Sequence, residues 1–208
     1  TDTGMINFYS PFLASRGRVV LDVSAPRYVR PPQGYEDISE GNTQGKFKRN
    51  YTLQYITPHL IHRCHSVYDN TSMLMDTSPH GVLMNPADAE ARNISNGEKE
   101  YVYNDMGCTK LKAIVTKQQP KGVISIPQGA WYQPSKSEKY EAWFDSDFDG
   151  KPESHIVPVD VGGCMNVLLT DQDTGVSDPI LNKEVGDSGG MYVNGLLCEV
   201  SKTLPSFS

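Results

Sequence analysis

The stretch that decides the fold is VLMNPADAEARNISNGEKEYVYNDMGCTKLKAIVT, residues 82–116. It opens on three apolar residues, Val82, Leu83 and Met84, which read as a short strand. Asn85 follows as a helix N-cap and Pro86 as the first helical residue, where a missing N–H costs nothing. The helix, residues 86–92, is short, because Asn93 and the Ser95-Asn96-Gly97 turn tolerate left-handed backbone and end it. Residues 100–103 form the next strand, Asn104-Asp105-Met106-Gly107 turns the chain, and 110–116 returns as its hairpin partner. A further strand at 122–126 completes the unit. Short strands, one small helix and tight turns predict a closed barrel, since closure removes exposed edges.

Working outward, residues 51–57 alternate, with Leu53, Tyr55 and Thr57 on one side, and Pro58 stops the strand. The run 59–70 carries His59, His62, Arg63, His65, Ser66 and Asn70. It is too polar for core and too dense in hydrogen-bonding groups for filler. Further upstream, 3–10 reads as a short strand, and 25–49, centred on Pro31-Pro32-Gln33-Gly34, as an extended surface arm. An irregular arm at 1–50 thus precedes a barrel domain at 51–208. Downstream, 128–161 reads as irregular, with a long loop insert at 135–161; 167–170 reads as a strand and 196–200 as the closing one. The predicted class is all-β with minor helix.

Composition narrows the function. With 19 basic and 25 acidic residues the net charge is −6, so nothing here neutralises a phosphate backbone and a nucleic-acid partner is excluded. No run approaches the roughly 18 apolar residues of a membrane-spanning helix. Fourteen prolines and eighteen glycines suit a turn-rich β fold better than a helix bundle. Cys64, Cys108, Cys164 and Cys198 include no C-x-x-C pair, so spacing encodes neither a zinc knuckle nor an iron–sulfur cluster, and buried free thiols are expected. The sequence starts without methionine and reads as a piece of a longer protein, so compartment signals, cytoplasmic or twin-arginine export, are expected elsewhere.

Five segments in order carry a family resemblance. They are Thr3-Gly4-Met5-Ile6-Asn7-Phe8-Tyr9-Ser10; Ile56-Thr57-Pro58-His59 followed by Arg63 and His65-Ser66; Asn85-Pro86-Ala87-Asp88-Ala89 with Tyr103-Asn104-Asp105-Met106-Gly107; Gln128-Gly129-Ala130-Trp131-Tyr132-Gln133-Pro134; and Gly163-Cys164 onward through Asn166, Leu168 and Thr170. Together they resemble the C-terminal dinucleotide-binding domain of the dimethyl sulfoxide reductase type of molybdopterin oxidoreductase. The resemblance implies a six-stranded double-psi β-barrel that binds bis(molybdopterin guanine dinucleotide) molybdenum. It also implies that the other domains of one large subunit surround it and that an iron–sulfur electron-transfer subunit is a partner.

Such a cofactor presents two phosphates, a ribose and flat polar rings, so its holder needs amide or cationic donors and mixed donor–acceptor edges. By resemblance Thr57, His59, Arg63, His65, Ser66 and Asn70 meet the pterin or its phosphate, Arg63 with a forked pair of donors. Gln128 and Asn166 suit the ring edges, and Trp131 either packs across the cofactor or fills the core. His80 and His155 read as surface residues. No residue matches the family's protein ligand to molybdenum, so no catalytic residue is expected in this chain.

The insert adds Asp145-Ser146-Asp147-Phe148-Asp149-Gly150, which begins like a calcium loop. Position twelve is Ile156 where that loop has glutamate, leaving Glu153 or Asp160 to complete the shell; the alternative is a solvated acidic loop. Three other readings compete. Phenol-directed members of the family, of the pyrogallol transhydroxylase or catechol dehydroxylase kind, share this domain. A free-standing calcium-binding β-barrel module would need the Asp145, Asp147 and Asp149 site. An aspartic protease would use the triplets 173–175 and 187–189, which lie too close together to sit on separate lobes.

Overall fold

Leu53 and Tyr55 point the same way along strand β1 (Leu53–Ile56), and both are buried, as strand alternation requires. The computed structural model describes residues 4–15, 24–25, 28, 33–40, 47–146, 151–169, 171–172, 190–191 and 194–206. The strands that follow are β2 (Val82–Met84), β3 (Lys99–Tyr103), β4 (Cys108–Val115) and β5 (Val123–Ser125). Then come β6 (Pro134–Phe144), β7 (Glu153–Asp160), β8 (Asp171–Gln172), β9 (Gly190–Met191) and β10 (Leu196–Ser201).

Six strands pair in the order β2-β5-β1-β10-β3-β4, and β4 pairs back onto β2, so the expected six-stranded barrel closes. β1–β5 and β2–β4 are parallel neighbours; the other four contacts are antiparallel. Its interior is filled by Leu53, Tyr55, Val82, Met84, Val102, Ile124, Ile126, Leu196 and Cys198, all essentially inaccessible. Each large aliphatic side chain so buried stabilises by roughly 1.5–3 kcal/mol. The small helix forms as its sequence demands. It runs Pro86–Ala91, Asn85 Oδ1 accepts from Ala87 N at 2.9 Å, and Asn93 turns left-handed (φ 54°) beyond its end.

Two expectations change downstream of β5. Pro134–Phe144 and Glu153–Asp160 are not irregular: β6 and β7 make a long antiparallel ribbon, joined to the barrel where β7 meets β4 at Thr109 and Asp160. Residues Met165–Leu168 form a single 3-10 turn instead of a strand. Tyr55 Oη (2.8 Å) and Asn104 Nδ2 (2.7 Å) both donate to the Leu168 carbonyl, which leaves that segment no sheet partner.

The ribbon and residues 47–51 cover the outside of β3 and β10 with a second core, in which Phe47, Tyr51, Tyr103 and Tyr140 interlock. Ring centroids lie 6.0–6.3 Å apart in edge or tilted arrangements. Within the stretch read as an extended arm, Tyr35–Glu40 forms a helical turn, α2, and Ile38 packs against this cluster. The helix α3 (Ser72–Thr77) precedes β2.

A separate unit gathers residues 1–32 and 170–192. Its described parts are a short helix α1 (Pro11–Ser15), the pairing of β8 with β9, and a Ser10 N to Ser24 O hydrogen bond of 2.7 Å. Residues 6–10 form no strand, and Ile6 and Phe8 are exposed. Among the described residues no helix is long and apolar enough to cross a membrane.

Candidate functional site at one barrel rim

Strand direction decides which loops meet. β1 and β5 run parallel, so their exits open at the same rim, and the pairing continues beyond them. Ile126 N donates to Ile56 O and Gln128 N to Pro58 O, each at 3.0 Å. β2 and β10 run against β5 and β1, so their entries, His80-Gly81 and Asn194-Gly195, reach that rim too. β7 ends beside the start of β4, which brings in the turn at 162–166.

Thr57, His59, Arg63, His65, Ser66, Gln128 and Trp131 converge there. Gln128 Nε2 stands 2.8 Å from His59 Nε2 and 3.4 Å from His65 Nδ1, and the two imidazoles meet edge-to-face with centroids 5.2 Å apart. Thr57 is buried, its N–H donating to Asn194 Oδ1 at 2.8 Å. The Trp131 indole N–H donates to the Ser66 carbonyl at 2.8 Å, leaving the ring about half exposed (47%). His59, His65, Ser66 and Asn70 are exposed. Asn166 is exposed as well, and lines a cleft of about 300 Å³ with Met106, Gly107 and Tyr132.

Arg63 takes a different part from the one its sequence context suggests. Its side chain is only 1% exposed. Nε and Nη2 donate to the Gln128 carbonyl at 3.0 and 2.6 Å, Nη2 also reaches the Pro127 carbonyl at 3.2 Å, and Nη1 pairs with Asp69 Oδ1 at 2.5 Å. A guanidinium spent on these acceptors has no free pair of donors to fork onto an external phosphate, and here Arg63 ties the 63–69 and 127–128 loops together.

Several rim residues were invisible to local sequence reading. Asp69 ties Arg63 to Trp131, accepting from the Trp131 backbone N–H at 2.8 Å. His80 is half-buried, not a surface residue: its Nδ1 faces Arg63 Nη2 at 3.3 Å and its Nε2 faces the Gly163 carbonyl at 2.9 Å. Burial, with Arg63 adding to it, pushes its pKa below the ordinary imidazole value. Asp160 is fully buried and accepts four hydrogen bonds, from Thr109 Oγ1, Gln133 N, Gly162 N and Cys164 N. Gly129 is required: with φ +95°, a Cβ there would collide with the His65 carbonyl. His65 itself is left-handed (φ 52°), a conformation costing a non-glycine residue about 1 kcal/mol. The signal that could have found Gly129 is its place in the turn beside Gln128.

The calcium reading gains no support from Asp160, whose oxygens are occupied, or from Glu153, which accepts from Ser146 Oγ at 2.8 Å. Asp145 follows β6, while Asp147 and Asp149 lie outside the described residues, as do Thr170 and the triplets 173–175 and 187–189. Among the described residues no group of three or more His, Cys, Asp or Glu is placed to hold a metal. Cys64 is exposed and the other three cysteines are buried, all of them free thiols. His155, also expected at the surface, is half-buried and stacks on Phe144 at 4.2 Å.

A closed barrel thus gathers imidazole, amide, hydroxyl and indole groups at one rim, a donor and acceptor set chemically suited to a polar ring ligand. A family model described as "Molydopterin dinucleotide binding domain" matches residues 53–180. The chain therefore belongs to the molybdopterin dinucleotide-binding domains of the dimethyl sulfoxide reductase family. It is 32% identical over 174 residues to dimethyl sulfoxide reductase DmsA of Escherichia coli K12, an alignment covering 82% of this chain and 18% of that protein. It is 31% identical over 135 residues to trimethylamine-N-oxide reductase of Haemophilus influenzae, covering 62% and 14%. In fold it is similar to acetylene hydratase from Pelobacter acetylenicus, with TM-score 0.59 and 21% identity over 98% of this chain and 24% of that one. This chain spans less than a fifth of the length of these two oxide reductases.

Proposed function

We propose that this chain holds a bis(molybdopterin guanine dinucleotide) molybdenum cofactor within a longer oxidoreductase chain, for reduction of an S-oxide or N-oxide by oxygen-atom transfer. The carrying observation is the convergence of His59, His65 and Gln128 within hydrogen-bond reach beside the half-exposed Trp131, inside the segment that the family match covers. The donor set fits the group. Ring nitrogens and an amide offer both donors and acceptors to a pterin or guanine edge, and the Ser66 hydroxyl can donate to a phosphate oxygen. The Trp131 face offers a stacking platform. When bound, the cofactor supplies the redox centre and the oxygen-accepting atom.

The chain's own residues bind and orient. His59, His65, Ser66, Asn70, Gln128 and Trp131 form one holding surface, Thr57 shapes its floor, and Asn166 offers an amide from the neighbouring cleft. Arg63 keeps Gln128 and the 63–69 loop in register. The names of the relatives support the substrate class, and the share of their length that this chain spans supports its being one domain of a larger subunit. An iron–sulfur electron-transfer subunit is the expected redox partner. The test is the full-length reductase carrying His59→Ala with Gln128→Ala. We expect it to purify folded but with at least a tenfold loss of molybdenum and guanine nucleotide, the deletion of two polar contacts at roughly 1 kcal/mol or more each. Undiminished cofactor content would refute the assignment.

A further inference from the structure

The rim contains a side-chain connection between two of its loops. Arg63 reaches two loops at once, the Pro127 and Gln128 carbonyls on one side and, through His80, the Gly163 carbonyl on the other. Asp69 holds the guanidinium from behind and also fixes the Trp131 backbone. We propose that Arg63, Asp69 and His80 form a buried relay that sets the 162–166 turn, and with it Asn166, against the His59–His65–Gln128 cluster. His80 is then a positioning residue, and the proposal rests on the reading of this rim as the cofactor site.

Hydrogen-bond chemistry dictates the state of His80. A guanidinium only donates, so the Nδ1 facing Arg63 must offer a lone pair; a carbonyl only accepts, so the Nε2 facing Gly163 must carry the proton. The relay therefore works with one tautomer of a neutral imidazole. A proton on Nδ1 would point an N–H at the Arg63 cation and break the link. The charged groups facing His80 are Arg63, which opposes protonation, and Asp69 and Asp160, which favour it. Burial is the largest influence and it too opposes the charge. The folded-state value is thus depressed, so the link is complete above the ordinary histidine range and is lost as pH falls through the depressed value.

The turn is built to depend on this contact. Asp160 anchors it at one side through Gly162 N and Cys164 N, and His80 secures the carbonyl between them. Gly163 has φ +84°, and a Cβ there would run into Leu111 and the His80 ring. Ring and backbone therefore meet directly, with no room for a substitute side chain.

Local hydrogen exchange of the full-length, cofactor-free reductase tests the relay, read by mass spectrometry for peptides spanning 161–169 and, as an internal control, 134–144. At pH 7.5 His80→Leu should speed exchange in 161–169 roughly tenfold, the loss of about one hydrogen bond, and leave 134–144 unchanged. His80→Gln, whose amide can accept and donate in the same two directions, should behave as wild type. As pH is lowered from 7.5 through the depressed His80 range, after correction for intrinsic exchange, wild type should loosen in 161–169 while His80→Gln should not. Equal exchange in the Leu and Gln variants at pH 7.5, or the same acid loosening in His80→Gln and wild type, overturns the relay. Should His80→Leu fail to fold, the wild-type and Gln comparison decides alone. Molybdenum and guanine content of loaded samples is read separately. A loosened turn with full cofactor content upholds the relay and removes the cofactor reading of Asn166.

Discussion

Arg63 and Glu100 are both ionisable side chains buried in one barrel, and their surroundings treat them in opposite ways. Arg63 spends its donors on the two carbonyls of the 127–128 loop, on the Asp69 carboxylate and on the His80 imidazole. Glu100, on β3 opposite Leu111, is wholly buried, and neither carboxylate oxygen meets a hydrogen-bond donor. Burial, with the nearby Glu98 charge adding to it, raises its pKa above the ordinary carboxylate range. At the rim, then, each buried charge is tied to backbone that must hold its place, and its desolvation cost is returned as positional order. On β3 the same cost is returned by nothing.

Removing the rim's best-satisfied charge should have the largest effect. Asp160→Ala leaves Thr109 Oγ1 and three backbone N–H groups without their acceptor, and we expect a loss of about 4 kcal/mol or more in urea unfolding. Arg63→Met should cost about 3–5 kcal/mol, because it strands Asp69 inside the protein, and should lower cofactor content as well. Glu100→Gln should act in the opposite direction, raising stability by about 1–3 kcal/mol at neutral pH. Its pH signature has a definite sign. A folded-state pKa above the unfolded value gives stability that is present below the ordinary glutamate range and lost as pH rises through the raised value. Wild-type unfolding free energy should therefore fall over that interval, and the Gln variant should lack this fall. The smallest change is expected for Asn85→Ala, about 1 kcal/mol in melting, since it removes the N-cap of the helix that starts at Pro86.

What was legible in the sequence was the barrel's inner strands. All are short and largely apolar, four of them stopped by Pro58, Asn85, Asn104 and Pro127, and 51–57, 82–84, 100–103, 110–116, 122–126 and 196–200 fall on strands of the closed ring. The β6–β7 ribbon was not legible, because the first half of β6, Pro134-Ser135-Lys136-Ser137-Glu138-Lys139, faces solvent and only Tyr140 and Ala142 of that strand are fully buried. The 165–168 turn was equally hidden, since the groups capturing Leu168 O come from Tyr55 and Asn104, far away in sequence. At the site, the density of polar groups in 59–70 was readable, as was the Gln128 turn. The inward course of Arg63 was not, nor was the role of His80. Its partners lie 17 residues behind and 83 ahead, and the Pro79 before it suggests only a loop.

The central claim, that residues 57–70 and 127–131 hold the pterin dinucleotide, is most directly tested by comparing hydrogen exchange of the full-length protein with and without the cofactor. Protection on loading should concentrate in peptides covering 57–70 and 127–133 and leave the 134–144 ribbon strand unchanged. Equal exchange of the 57–70 peptide in the loaded and cofactor-free enzyme would contradict the claim.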